Sequence, residues 1–579
     1  MDLNHARLPF RHTRVARERS LAQGREGVEC PEIEADSLSA MLDWHAFCGN
    51  DAFIASVRQS GTLMKSPSGS QSHRKPSPKE PAFVHSLPFQ AVRGFVCVLA
   101  LSYLGSALFW LPPSTSYVLG PIAGIVAALS CRQWWMAGAT AAAGVTLGSF
   151  LGSVYFSAIS FRDYAATEYW IVGGMALVVG CAAAWLLAYR EDTERWIAWL
   201  AVALIIVAAW QTGFYDTTIP TRGGAGPSAA EMYASTPTVS ENISDPEMFI
   251  LVVRRMQAGE SYYQANGRTM VEVNATRPQN AWNLRDMTTL RLPTLFWFLA
   301  ALPPTWQSWV IAILVLISAG IVAAWTIAAR YVHPSLALVG TVVTALYLQG
   351  FTAMDLVNVE AWAGMLALVS VALALKALSV RKNPLVWAGA AAAVGLLATV
   401  TREIAVAYLL LGLASTLVHK YWRERRVWIP WAVAIGVAVI FYVVHLSVGM
   451  SVAARLPNLG ANVPGGGAGG HIDFSGAGLP AALRLLGIWT WWPPAEVWIV
   501  WLLGVIGGVV GPRDWPRRVL LAGATLGGSL ALLLLHPHGV LVDGLPPGYW
   551  GELVLPTLLA CSALTFAWVA GLKPTGTSS

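Results

Sequence analysis

The chain has 579 residues, 55% of them hydrophobic and 12% charged, with a net charge of +6 and a mean hydropathy of +0.53. A soluble domain carries roughly 25% charged residues, so this composition excludes a soluble globular enzyme and points to a polytopic membrane protein. The modest positive charge needs no nucleic-acid partner, because Lys and Arg fall mainly in short turns and in the N-terminal tail, as an orientation signal places them.

Residues 1–88 are polar and Arg-rich, with Ser, Pro and Lys concentrated over Lys65–Glu80, and read as a disordered cytoplasmic tail. No apolar run follows the first basic residues, so they do not read as a signal peptide. Met64 is an alternative start. Residues 89–190 hold four apolar runs, near 91–112, 116–131, 134–158 and 168–189. We expect these four helices to brace the rest of the bundle. A fifth run lies near 195–214.

A polar interval then runs from Tyr215 to Leu290. It carries Asp216, Asp245, Glu247, Glu260 and Asp286 together with Arg254, Arg255, Arg268 and Arg285. Long interruptions of this kind tend to be functional or disordered. Within it, Phe249–Met256 reads as an amphipathic helix. After it, Leu292–Leu302 is apolar but too short to span, and reads as an interfacial helix. Nine more apolar runs follow, near 306–330, 334–352, 357–379, 385–400, 403–419, 427–449, 494–511, 517–536 and 549–571. The expected fold is therefore an all-α bundle of about fourteen transmembrane helices. Its module 191–579 carries loops 215–305, 450–493 and 537–548 on one face.

Charge bias gives the orientation. With the N-terminus inside, the cytoplasmic turns contain Arg132, Arg190, Arg330, Lys376, Arg381, Lys420, Arg426, Arg517 and Lys573. This places both termini in the cytoplasm of a cell whose inner or plasma membrane the chain crosses, with the long loops and the corner Thr401-Arg402-Glu403 outside.

The six cysteines (Cys30, Cys48, Cys97, Cys131, Cys181 and Cys561) are scattered, form no CxxC pair, and read as small buried side chains. Gly465–Gly470 lacks the Gly-Lys-Ser/Thr ending of a phosphate loop. His471 with Asp473, and His536 with His538, have ligand-like spacing, but two short pairs do not make a metal site. No cofactor is expected; a divalent metal is left open but has no support in these residues.

Charges at membrane depth are functional candidates. Asp355, Glu360, Arg402 and Glu403 qualify. Arg402 and Glu403 are either a self-compensating pair at a helix end or, for Arg402, a fork of donors facing a phosphate. Asp355 is as well explained by solvation at a helix entrance, and Glu360 by pairing with a buried basic or polar group. In the polar interval Asp245 opens an amphipathic stretch that ends at Gly259 and the pair Tyr262-Tyr263. A carboxylate there can act as a general base. Asp216 is the second candidate. Tyr549-Trp550-Gly551-Glu552 opens the last helix and reads first as an aromatic interfacial anchor.

From about residue 195 to 571 this pattern resembles the GT-C superfamily of polytopic glycosyltransferases. These include protein O-mannosyltransferase-like enzymes, the lipid A aminoarabinose transferase and actinobacterial lipid-linked sugar transferases. The resemblance rests on Ser244-Asp245-Pro246 followed by Gly259-Glu260-Ser261-Tyr262-Tyr263, on Arg291-Leu292-Pro293, and on Thr401-Arg402-Glu403. It implies a polyprenyl-phosphate sugar donor, a glycan, lipid or protein acceptor, Asp245 (or Asp216) as base, and a donor site with Arg402, Glu403, Tyr262, Tyr263, Arg291, Asp355 and Glu360. The chain departs from the pattern in its four extra N-terminal helices and in lacking an Asp-x-Asp motif. A transporter or flippase for a lipid-linked precursor, and a non-catalytic assembly protein of the same fold, are the competing readings. The first would show inverted repeats and helices broken at the midplane; no convincing repeat is present, and the acids cluster in an outer loop rather than at mid-membrane.

Overall fold

A computed structural model describes residues 86–105, 113–131, 133–157, 166–189, 193–218, 228–240, 243–276, 278, 281, 283–285, 291–351, 356–419, 426–460, 479–480, 482–483, 494–534 and 551–566. The described residues belong to one compact unit. They are helical, with no strand among them. Residues 1–85 of the N-terminal tail, with Met64, and Asp286, Asp355, Gly465–Gly470, both His-containing pairs, Tyr549 and Trp550 lie outside the described residues, while the last residues of the tail, from Leu87, are helical.

Each of the fourteen apolar runs contains helix. The count of spanning helices is nevertheless corrected: six described helices are long and apolar enough to cross a membrane. They include Ile171–Tyr189, Thr193–Phe214, Trp306–Ala328, Val359–Ser379, Pro384–Thr401 and Ile429–Ala453. Six others, such as Pro334–Gln349 and Glu403–Leu417, are apolar but 10–17 residues long. The reason is rise per residue. A 12-residue helix such as Val406–Leu417 is about 18 Å long, short of the roughly 30 Å hydrocarbon layer. An apolar run in sequence sets that a helix is buried, not that it spans.

In chain order, the N-terminal segment forms α1 (Leu87–Gly105), α2 (Pro113–Ser130), α3 (Trp134–Ser157) and α4 (Ala166–Tyr189). Small residues let these four approach closely. Gly120 and Gly124 of α2 lie against the α4 backbone, and Gly144 and Gly148 of α3 lie against α1. α5 (Thr193–Thr218) packs on α2, and α1 and α2 also touch α11 (Pro334–Gln349). The Tyr103 hydroxyl at the end of α1 donates to Glu496, tying the N-terminal helices to the far C-terminal part of the chain.

The polar interval folds as a layer of short helices: α6 (Ala229–Ala234), α7 (Asp245–Gln257) and α8 (Tyr262–Thr276). Local chemistry starts them. Ser228 with Glu231, and Ser244 with Glu247, form reciprocal capping boxes, which satisfy the otherwise orphan N–H groups of a first turn. Gly259, at φ +102°, makes the turn between α7 and α8, a backbone shape that favours glycine. α7 buries an unbroken run from Met248 to Val253. Arg254 anchors its C-terminal end, donating to the carbonyls of Tyr233 at 2.5 Å and Pro304 at 3.0 Å and lying over the Trp309 ring. α9 (Thr294–Ala301) packs on α7, with Phe249 and Phe296 edge to face at 5.5 Å.

The centre of the bundle is built by α10 (Trp306–Ala328), α11, α12 (Val359–Ser379) and, far along the chain, α19 (Gly551–Cys561). Between them lie α13 (Pro384–Thr401), α14 (Val406–Leu417), α15 (Ile429–Ala453), α16 (Pro494–Val510), α17 (Trp515–Ala522) and α18 (Gly528–Leu534). α12 pairs most extensively with α13, and α19 touches α10, α11, α12 and α16. Every residue of α19 is buried. Gly364 of α12 allows a close approach: a Cβ there would run into the backbone carbonyl of Glu552. Gly364→Ala is expected to destabilise the protein by about 1–3 kcal/mol through overpacking, read as a lowered melting temperature in detergent. Gly389→Ala, where a Cβ meets nothing within 4 Å, should leave the melting temperature unchanged or raise it.

Candidate functional site

The site begins at the first turn of α12. Asn358 caps this helix, its side-chain oxygen accepting the Glu360 N–H at 3.2 Å. A cap and an acidic first turn both complement the partial positive charge of a helix N-terminus, so the sequence Asn358-Val-Glu360 is locally self-consistent. Glu360 is only 4% exposed. A carboxylate buried that deeply requires a cationic partner or hydrogen bonds.

Arg402 supplies the charge. α13 stops at Thr401, and Arg402 adopts an extended backbone (φ −144°, ψ 117°) before a tight 3-10 turn, Glu403–Ala405, leads into α14. This corner turns the arginine inward. Its Nε lies 2.9 Å from Glu360 Oε1, an ion pair by distance although the N–H is not aligned for a hydrogen bond. Its Nη1 donates to Glu403 Oε1 at 2.7 Å. Burial alone would lower the Arg402 pKa, but the fields of Glu360 and Glu403 outweigh it and hold the guanidinium above its ordinary value.

Arg291 approaches the same carboxylate from the start of α9, its Nη1 3.8 Å from Glu360 Oε1. Two contacts hold that segment over the corner. The Thr294 hydroxyl donates to the Val400 carbonyl at 2.5 Å, and Phe298 packs on Trp362 at 5.5 Å. The two arginines differ in state. Arg402 is buried and engaged by two carboxylates. The Arg291 side chain is 26% exposed, and its guanidinium makes no hydrogen bond among the described residues.

Tyr262 and Tyr263 cover this cluster from α8. The buried Tyr262 hydroxyl donates to the Arg291 carbonyl at 2.6 Å, and its ring packs on Tyr263 and Phe296, each at 5.2 Å. Burial raises its pKa far above the usual phenol value, with Tyr263 and Glu403 adding to the effect and Arg291 opposing it. The Tyr263 hydroxyl shares a hydrogen bond with His445 Nδ1 of α15 at 3.0 Å, and burial raises its pKa as well.

The structure thus brings together six residues singled out in the sequence: Tyr262, Tyr263, Arg291, Glu360, Arg402 and Glu403. Asp245 stands elsewhere in role. It occupies the first turn of α7, half-buried, and contributes none of the ion pairs just described. Asp216 falls in the last turn of α5, with its side chain outside the described residues, as is Asp355 entirely. Other acids of the polar interval have structural partners. Glu247 closes a capping box, and Glu260 pairs with Arg268 at 3.2 Å.

Two further residues join the site that sequence reasoning did not select. Glu552 is fully buried and accepts from Asn358 Nδ2 at 2.8 Å, which places a second carboxylate behind the α12 cap. His445 lies on an otherwise apolar helix, and its polarity there was the available signal. Among the described residues, no group of three or more His, Cys, Asp or Glu side chains is arranged to hold a metal ion. No protein-family model, no curated protein and no solved structure matches the chain.

Breaking a buried ion pair from one side leaves the other charge uncompensated and costs about 3–5 kcal/mol, whereas replacing both partners by apolar groups is often neutral. Glu360→Leu and Arg402→Met are each expected to lose stability of that order. The double variant should recover more than half of the summed loss, as read by a double-mutant cycle of chemical unfolding in micelles. Strict additivity would show that the pair is not coupled.

Proposed function

We propose that this membrane-embedded helical protein is a glycosyltransferase. In this reading it moves a sugar from a polyprenyl-phosphate donor to an envelope glycan, lipid or protein acceptor on the extracytoplasmic face. The observation that carries the reading is Arg291: a partly exposed guanidinium that makes no hydrogen bond among the described residues, 3.8 Å from Glu360 beside a buried ion pair in an apolar helical bundle. A lipid-linked phosphate needs both parts, an apolar surface for its chain and a planar fork of donors for its oxygens.

The arrangement also divides the work between the two arginines. Arg402, locked between Glu360 and Glu403, acts as a fixed element that holds the corner and its electrostatic field. Arg291 is the residue placed to take the phosphate. Orientation is supported by the basic residues at the other ends of the same helices. Arg330 after α10 donates to the Leu375 carbonyl at 2.8 Å, and Lys376 lies 3.5 Å over the Trp387 ring. Both are at the opposite end of α12 from Glu360, as a positive-inside arrangement requires.

In a single displacement, the acceptor hydroxyl oxygen attacks the anomeric carbon and the bond from that carbon to the phosphate oxygen breaks. The electron pair leaves with the phosphate, where Arg291 offsets the developing charge. The acceptor proton passes to a carboxylate, for which Asp245 is the first candidate. Transfer of radiolabelled sugar from a polyprenyl-phosphate donor in membranes tests this directly. Arg291→Ala and Asp245→Asn should each reduce transfer by about a hundredfold or more, the scale of a lost charge-stabilising or proton-transfer group, with folding retained. Undiminished transfer in Asp245→Asn would remove Asp245 as the base, and undiminished transfer in Arg291→Ala would remove the phosphate role.

A further inference from the structure

A second basic cluster stands at the opposite end of α12 from Glu360. Arg330, just after α10, and Arg517, in the first turn of α17, both reach the last turn of α12. Arg330 Nη1 donates to the Leu375 carbonyl at 2.8 Å and to the Ser379 hydroxyl at 2.7 Å, and its Nε donates to the Thr326 carbonyl at 3.2 Å. Arg517 Nη2 lies 3.5 Å from the Leu378 carbonyl, and its Nη1 lies 2.7 Å from Asp514 Oδ2. Cations on the last carbonyls of a helix are a stabilising cap, but capping uses only part of each guanidinium.

Three groups are left over. Arg330 Nη2 makes no hydrogen bond among the described residues. Arg517 Nε and the Tyr331 hydroxyl are buried and have no partner there either. The charge around them is unbalanced. Segments 329–334, 376–384 and 511–518 carry one, three and three Lys or Arg, and Asp514 is their one acid. Asp514 is taken by Arg517, and Arg330 pairs with no carboxylate among the described residues. Burial lowers the Arg330 pKa below the ordinary arginine value, with Tyr331 opposing and Arg517 adding to the effect. Burial also raises the Tyr331 pKa, with Arg517 and Arg330 opposing, so this hydroxyl lies in the field of both cations. An orientation signal acts from any basic turn and does not require two guanidiniums to share one buried hydroxyl.

Unspent donors beside excess positive charge suit a ligand that accepts hydrogen bonds and carries negative charge. A phosphate group does both, and its oxygens match the fork of a guanidinium. The Arg517 side chain is 29% exposed, so the cluster can be reached from the surface. Basic pockets between membrane helices are a recurrent seat for anionic headgroups. We propose that Arg330, Tyr331 and Arg517 form a second anion site, which binds a phosphate group, carried by an anionic lipid or free, at the end of the bundle away from Arg291. In the orientation proposed above this is the cytoplasmic rim. The site does not depend on the glycosyltransferase reading.

Native mass spectrometry of the full chain, released from uncharged detergent micelles, tests it with dioleoyl phosphatidylglycerol, dioleoyl phosphatidylcholine and inorganic phosphate as probes. Wild type should bind phosphatidylglycerol about tenfold or more tightly than phosphatidylcholine, the scale of a charge-assisted contact. Arg330→Gln and Arg517→Gln should each weaken phosphatidylglycerol by a similar factor. Tyr331→Phe removes one hydroxyl and should weaken it about three- to tenfold, which keeps the test decisive if an arginine variant does not fold. Lys382→Gln removes the same charge from an exposed neighbour and should change binding by less than about twofold, because solvated charges are screened. Displacement of the lipid by excess inorganic phosphate would assign the site to free phosphate, and retention would assign it to the headgroup. No preference for phosphatidylglycerol in wild type, unchanged binding in a folded Arg517→Gln or Tyr331→Phe, or an equal loss in Lys382→Gln would overturn the site.

Discussion

The buried pair of Glu360 and Arg402 is the constraint around which the site is organised. Two opposite charges sit almost out of contact with solvent where apolar helices meet, and neither can be left alone without a penalty of several kcal/mol. Their pairing therefore fixes the register of α12 against α13, and the extended backbone at Arg402 fixes how α14 leaves that corner. The start of α9 is pinned to the same corner through Thr294 and Val400. α8 follows, because Tyr262 bonds the carbonyl of Arg291. One electrostatic requirement thus propagates through short hydrogen bonds to place four chain segments distant in sequence.

The consequence is a graded set of charges. At the inner position, Arg402 has two carboxylate partners and little freedom. At the outer position, Arg291 has one partner at 3.8 Å and a partly exposed side chain. Behind the cluster, the Asn358 cap links Glu360 to Glu552, so the central helix α19 supports the α12 first turn.

Much of this was legible in the sequence, and the reasons are physical. Apolar runs located the helices because burial demands continuous apolar surface. Among the described residues they overcounted spanning helices, because burial inside a protein selects the same residues as burial in lipid. Arg402, Glu403 and Glu360 stood out because a charge in an apolar run is costly enough to need a reason. Their mutual pairing was not readable, since it depends on the crossing of α12 and α13. Glu552 was hidden by its aromatic neighbours Tyr549 and Trp550, which suggested an interfacial anchor, yet α19 is wholly buried.

The central claim is that the partly exposed arginine beside the buried pair receives a lipid-linked phosphate. The most direct measurement compares the affinity of the full chain in nanodiscs for a short polyprenyl phosphate with that for the uncharged polyprenol, in wild type and in Arg291→Gln. A charge-assisted phosphate contact of about 1.5–3 kcal/mol corresponds to a preference of roughly ten- to a hundredfold for the phosphate. The account expects that preference in wild type and its loss in Arg291→Gln. Equal affinity of wild type for the two lipids would contradict it.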